Sequence, residues 1–369
     1  MLITNADLGA GQTLHSHGLL NSGTGLVAGA LQEELYRFTL PYLRAIGVPV
    51  HGEDRSFLLA PDALVDQLTP VWEANHYRPE RADPASLPVG FEPVAPVYRV
   101  QGFNVEKRRL VAALSAGLEP HVLGGEVVEA GDNIRVRAKG SGETLSLAPR
   151  AVVVAAGCGT KRLLRRAFGV NDVVLDRIAY RQTHMICVRG PAGVLPEVGA
   201  VVATEVMIVG HPSPDGLVTW YVTPAVPSPE HDGEAPDDGA AEVDVHVVKQ
   251  GIDALLRLVP SLSHADERIQ ATVFAGYKQD FDGQPTRRAC EVVDEDRNVV
   301  MALPSVLTNA VPNARDALTL IGDRLGAGTT KLELRREAAV VVGQVNEDTG
   351  RAAWRTWRDF AGVYDVAVG

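Results

Sequence analysis

The chain has 369 residues, 46% hydrophobic and 22% charged, with 36 glycines and 23 prolines, enough for two domains with sizeable cores in a soluble mixed α/β protein with many turns. Its net charge of −11 argues against nucleic acid as a partner, which selects a basic stripe, and no apolar run of about 18 residues or signal peptide points to a membrane. Three distant cysteines, Cys158, Cys187 and Cys290, read as buried thiols in a reducing cytoplasm, so no metal is expected.

In chain order, residues 24–40 place Leu26, Val27, Ala30, Leu31, Leu35 and Phe38 at helical spacing, and Pro41 is expected to kink or interrupt that helix. The proline-rich stretch 48–103 suits irregular strands better than helices. Asn104 is placed to cap a helix whose apolar face is Val105, Leu110, Val111 and Leu114, with Gly117 at its end. Four strands follow: 122–128, 134–138, 145–147 and 152–155. The run 151–156 is apolar throughout, as in a parallel strand covered on both faces. From Ile178 the period becomes that of an antiparallel sheet: 178–189, 199–209, and a Pro214-Asp215-Gly216 turn into 217–222. Residues 224–244 are acidic, without Lys or Arg, and read as an exposed loop. An amphipathic helix at 245–258, a strand at 268–280 and a hairpin at 292–303 come next, then helices near 313–322 and 330–346.

Three segments carry chemistry. The first reads Gly9-Ala-Gly11-Gln-Thr13-Leu-His15-Ser16-His17-Gly18-Leu, the second Ala151-Val-Val-Val-Ala-Ala156-Gly157-Cys-Gly159. The third is Ala275-Gly276-Tyr277-Lys278 with Gly283-Gln-Pro285-Thr-Arg287-Arg288. Together they resemble the flavin- and substrate-contacting segments of the D-amino-acid-oxidase-like family, which includes the sarcosine, glycine and dimethylglycine oxidising flavoenzymes.

The resemblance implies an α/β fold: a Rossmann-like FAD-binding domain with a mostly parallel sheet (1–47, 104–177, 291–369), interleaved with an antiparallel-sheet substrate domain (48–103, 178–290). It implies that Gly9, Gly11, Thr13, His15, Ser16 and Gly18 pass beside the flavin, with His15 at the position of a covalent histidyl link. A plain loop histidine is the alternative there, and His17 reads as a loop histidine. The backbone at Val127 is implied to meet the adenine, and Ala156-Gly157 to let the chain approach the diphosphate, where a side chain would obstruct it. Lys278 and Arg287 are the implied catalytic pair, a cation there matching a substrate carboxylate or charge on reduced flavin. Arg288 completes the basic cluster. A buried or solvated strand end is the plain reading of each of these residues.

The chain also departs from the family pattern. Met1-Leu2-Ile3 looks like the family's second strand, so the FAD-binding domain is expected to be incomplete, lacking the glycine-rich phosphate turn. An upstream start would restore it with about 30 residues. Thr4 or Asn5 stands where a ribose-binding carboxylate is usual. A late glycine stretch is replaced by 301–314, where Asn309 or Asn313 is expected to cap a helix. The expected function is FAD-dependent oxidation of a small amine, amino-acid or hydroxy-acid-like substrate by hydride transfer, with FAD held weakly or not at all by the chain as written. The alternative is a remnant that has lost FAD and binds a small molecule or partner without redox chemistry. Oligomeric state is not legible.

Overall fold

The computed structural model describes residues 1–4, 16–21, 34–74, 77–118, 121–226, 230–231, 235, 240–265, 267–284, 287–304, 306–325 and 353–366. Its largest element is a mixed sheet whose centre is built from Ile178–Pro191, Val206–Pro212, Leu217–Pro224 and Gln270–Phe281. Strand 178–191 pairs antiparallel with 270–281 on one side and with 217–224 on the other, and 206–212 follows in the hairpin turned by Gly216. Ala200–Ala203 then joins Phe57–Leu59 in parallel. Alternation divides this sheet into two faces. Val218, Trp220 and Val222 point to one side with Ile186 and Val188, against Val248, Ile252 and Leu255 of the helix Val245–Leu258. Tyr221, Thr223, Met185, Cys187 and Lys278 fall on the opposite face by register.

The α/β part consists of two smaller sheets. Leu2–Thr4 runs parallel to Val122–Ala130, which continues antiparallel to Ile134–Ala138 and Thr144–Leu147. Val152–Val154 runs parallel to Val299–Leu303, which pairs antiparallel with Ala289–Asp294. Val154, Leu164, Tyr180, Val299 and Met301 share one core. The mostly parallel sheet expected from sequence is therefore found, among the described residues, as two parallel pairs continued by antiparallel strands. Val153 is 42% exposed, so its strand is not covered on both faces.

Local chemistry explains other differences. Pro41 does not interrupt its helix: Leu35–Thr39 forms a wider π-type turn, with the Leu40 N–H donating to the Leu35 carbonyl, and the helix continues as Leu40–Ala45. A π-bulge is a recognised way to bend a helix without ending it. The stretch read as better suited to irregular strands than to helices contains Asp62–Ala74, started by Pro61-Asp62 and anchored by Val65 and Trp72 despite an internal Pro70. Residues 224–244 are more than an exposed loop, since Glu230–His231 and Ala240–Ala241 pair with the large sheet. The C-terminal helix Trp357–Val366, expected beside the α/β layer, places Trp357 and Phe360 in the core under the large sheet. The helix read at 330–346 lies outside the described residues, as do 24–33 of the first helix. No described helix is long and apolar enough to cross a membrane.

Asn104 is not a helix cap. It lies in the strand Gly102–Val105, fully buried, and its Nδ2 donates to the carbonyls of Gly199 (2.7 Å) and Gly210 (2.9 Å). The following helix, Lys107–Ser115, is capped by Glu106, whose carboxylate accepts from the Arg108 and Arg109 N–H groups. Asn104 thus stitches a small sheet (Leu19–Asn21, Gly102–Val105, Val50–His51) to the large one. An Asn104→Leu variant leaves two buried carbonyls unpaired, and urea unfolding should show a loss of about 1–3 kcal/mol. An unchanged midpoint would mean that the stitch adds nothing.

Candidate functional site

The segment Ser16–Leu19 lies on the face of the large sheet opposite the helix Val245–Leu258. Leu19 packs against Ala200 and Val209. The Val105 N–H donates to the Gly18 carbonyl (2.9 Å), continuing the pairing of strand 19–21 with 102–105. Gly18 has φ +73°, and a Cβ there would lie 2.7 Å from the Val105 carbonyl oxygen and 3.0 Å from His211 Cε1. Only glycine meets both demands.

Two buried side chains hold the carbonyls that precede it. Lys107 Nζ donates to the Ser16 carbonyl (2.5 Å) and sits 3.8 Å from the centroid of the Tyr221 ring. His211 Nε2 lies 2.7 Å from the His17 carbonyl. A carbonyl only accepts, so His211 carries its proton on Nε2. Burial holds His211 neutral, with its pKa lowered to about 3. The rings of His51 and Tyr221 meet His211 edge-on at 5.6 and 5.4 Å.

His17 is fixed in turn. Its Nδ1 accepts the Leu19 N–H (3.1 Å), so the neutral ring carries its proton on Nε2. Burial, then the charge of Lys278, then those of Lys107 and His211 hold its pKa well below the ordinary range. Lys278 is thus close enough to be the strongest charge acting on His17.

Lys278 lies across from Arg181 in strand 178–191. Arg181 makes a bidentate pair with the buried Asp280 (2.8 and 3.1 Å), and that carboxylate is fully used. The Lys278 ammonium has no hydrogen bond or ion pair among the described residues. It is half-buried by area but densely surrounded, and dehydration, then the Arg181 charge, lower its pKa to about 8. Lys107 is lowered to about 8 by burial as well. The neighbouring Cys187 thiol is pushed up to about 12 by burial, which keeps it an inert thiol.

Of the residues singled out in sequence, Ser16 and Gly18 are seated on this face by Lys107, His211 and Val105, and Lys278 points to the same face by register, across from Arg181. Arg287 does not join them. It pairs with Asp282 (2.9 Å) and approaches the Phe281 ring, within a network where Arg177 bridges Asp282 and Glu291. Arg288 is taken by Glu34 and Asp316. Val127 is half-buried, paired with Val136. Ala156 is exposed and Gly157, at φ +55°, turns the chain after the parallel strand 152–154. Gly9, Gly11, Thr13 and His15 lie outside the described residues. Asn309 stands at the start of the helix Ala310–Arg324 but makes no side-chain cap bond. No group of three or more metal-ligating side chains occurs among the described residues.

Sequence reasoning missed Lys107 and His211. The available signal was Lys107-Arg108-Arg109, three cations in a helical first turn, where the macrodipole disfavours them.

Solved structures share this architecture. An FAD-dependent oxidoreductase from Pseudomonas aeruginosa superposes with a TM-score of 0.64 at 18% identity, over 93% of this chain and 89% of that one. Glycine oxidase from Geobacillus kaustophilus gives 0.63 at 16% identity, over 90% and 89%. L-proline dehydrogenase from P. horikoshii gives 0.61 at 10%, over 89% and 87%. The fold is that of the D-amino-acid-oxidase-like flavoenzymes. No family model matches the sequence, and no curated protein matches it.

The low lysine pKa values have a consequence for stability. Between about 8 and the ordinary 10.5, the unfolded chain binds the Lys278 proton and the folded chain does not, so this residue's contribution to stability rises with pH. A Lys278→Met variant lacks that slope. In urea unfolding it should be more stable relative to the parent at about pH 7 than at about pH 10. A difference independent of pH would show that Lys278 is hydrated.

Proposed function

We propose that the chain is an FAD-dependent oxidoreductase acting on a small amine, amino-acid or hydroxy-acid-like substrate that carries an anionic group. The observation that carries this reading is the pinning of Ser16–Leu19 to the large-sheet face that also presents Lys278. The fold supports it, since similar structures include an FAD-dependent oxidoreductase and a glycine oxidase.

The residues present fit the flavin part of the cofactor. Gly18 keeps the N-terminal segment in close approach to the sheet, and the exposed Ala156-Gly157 turn stands at the carboxyl end of a parallel strand, where open α/β sheets take their ligands. Ser16 and Gly18, with Gly9, Gly11, Thr13 and His15, would flank the ring. The backbone at Val127 would meet the adenine, with Ala156 and Gly157 beside the diphosphate. A covalent bond at His15 is the finer version of the same proposal. When bound, the flavin supplies a hydride acceptor for a C–H bond beside nitrogen or oxygen.

The chain's own contribution is orientation and electrostatics. Lys278 binds the anionic end of the substrate as a point charge. The acidic chain as a whole repels anions, so this local cation provides the selection. Met185, Phe274 and Val209 line the same face by register and exclude water from it. We assign the cofactor side to 1–47, 104–177 and 291–325, and the substrate side to 48–103 and 178–290, joined by 353–366.

The test is to add FAD to the purified protein and measure quenching of flavin fluorescence and absorbance near about 450 nm. A panel of small amino acids and amines then follows, watching for bleaching. Weak binding that dilution reverses is expected, with bleaching by at least one carboxylate-bearing substrate. Lys278→Met should lower kcat/KM by about tenfold, the scale of one lost charged hydrogen bond. Absence of any flavin binding would overturn the reading in favour of a non-redox binding protein.

A further inference from the structure

We infer that the protein has a second small-molecule site, a cavity of about 230 Å³ beside Trp220 that takes a neutral compound with an apolar ring body and one hydrogen-bonding group. Neighbouring residues of strand 217–224 face opposite sides of the sheet, Trp220 toward this cavity and Tyr221 toward the seat of Ser16–Leu19. The cavity is therefore separate from that seat, and the inference does not rest on the flavin reading.

The cavity lies past the end of the helix Val245–Leu258. Val259, at φ −134° and ψ 73°, leaves the helical course, and the chain continues as the short 3-10 helix Pro260–His264. Three segments wall the gap, and backbone hydrogen bonds hold each of them. The Leu262 N–H donates to the Val259 carbonyl (3.1 Å), and the Leu195 N–H donates to the Pro191 carbonyl (2.8 Å). The Glu92 N–H donates to the Leu258 carbonyl (2.8 Å), which ties the loop carrying Val89 to the helix end. Phe91 of that loop packs on Trp220 with ring centroids 5.3 Å apart. Walls fixed in this way need little ordering when a ligand enters, which favours binding.

The lining chooses the ligand. Trp220, Leu195, Val259, Leu262 and Ile269 are its buried members. The Trp220 Nε1–H is already donated to the Pro196 carbonyl (3.0 Å), so the indole presents apolar surface to the cavity. Among the described residues no Asp, Glu, Lys or Arg lines it, and a charged body would lose its hydration there without a partner. Ser261 and His264 are exposed lining residues whose side chains make no hydrogen bond among the described residues. One polar group of a ligand therefore finds its partners at the mouth. An apolar cavity of about 150 Å³ takes benzene, and the larger volume here has room for a fused two-ring body. Val89, a lining residue 90% exposed, leaves apolar surface at the mouth that such a body covers.

The test uses the full chain with indole as probe. In nitrogen-15 spectra of tryptophan-labelled protein, the Trp220 side-chain signal is identified by its loss in Trp220→Phe. Indole should shift it saturably, with a Kd of about 0.1–1 mM, a range open to a ligand of this size. Trp72, which belongs to a different core, should not move. Ala265→Leu adds bulk to the lining and should weaken indole about tenfold. Ser261→Ala with His264→Ala changes only exposed positions and leaves the buried lining intact. That double variant should weaken indole about threefold, the scale of one hydrogen bond, and leave toluene, which has no polar group, unchanged. A Trp220 signal that indole leaves in place, or equal shifts at Trp72 and Trp220, would overturn the inference. An Ala265→Leu protein that binds like the parent, or a double variant that weakens indole and toluene alike, would do the same. So would a chain that dimerises and releases indole as it does, for the mouth would then receive a second copy.

Discussion

The site depends on two hydrogen bonds to consecutive backbone carbonyls. Ser16 and His17 each offer an oxygen toward the large sheet, and Lys107 and His211 meet them from buried positions. A buried carbonyl left unpaired costs free energy, so the segment has one favourable seat on the sheet, and Gly18 is the residue that lets the chain reach it. Everything downstream follows from that seat: the tautomer of His17 and the packing of Leu19 on Ala200 and Val209.

Electrostatics then gives the face its character. In a chain with a net charge of −11, the face of the large sheet opposite the helix Val245–Leu258 carries two dehydrated lysines, while the carboxylate Asp280 is matched to Arg181. Dehydration raises the strength of any charge–charge contact made there. Lys107 spends its charge on structure, against a ring and a carbonyl. Lys278 makes no hydrogen bond or ion pair among the described residues, and burial lowers the pKa of both His17 and His211. Arg287 and Arg288 illustrate the opposite case, cations fully matched by Asp282, Glu34 and Asp316.

Much of this architecture was legible in sequence because it rests on local periodicity. The alternation in Leu217–Pro224 and the helical spacing in Val245–Leu258 are strong, single-period signals that tertiary packing reinforces. The helix Asp62–Ala74 was hidden by Pro61 and Pro70, which locally oppose a helix that Trp72 and Val65 secure through burial. Asn104 looked like a cap because a polar residue precedes an apolar helix. Its true partners, Gly199 and Gly210, lie about a hundred residues away and leave no local trace. Lys107 was concealed in a charged run that reads as a solvated face, and Lys278 and Arg287 looked like one cluster although the adjacent carboxylate Asp282 pairs with Arg287 alone.

The central claim, that Lys107 and His211 hold Ser16–Leu19 on the sheet, is tested most directly by hydrogen exchange at the Val105 amide, which donates to the Gly18 carbonyl. In Lys107→Met and in His211→Phe, its protection should fall by about tenfold or more, while the amides of strand 217–224 keep theirs. Unchanged protection of Val105 in both variants would contradict the account, for the segment would then be seated by its backbone alone.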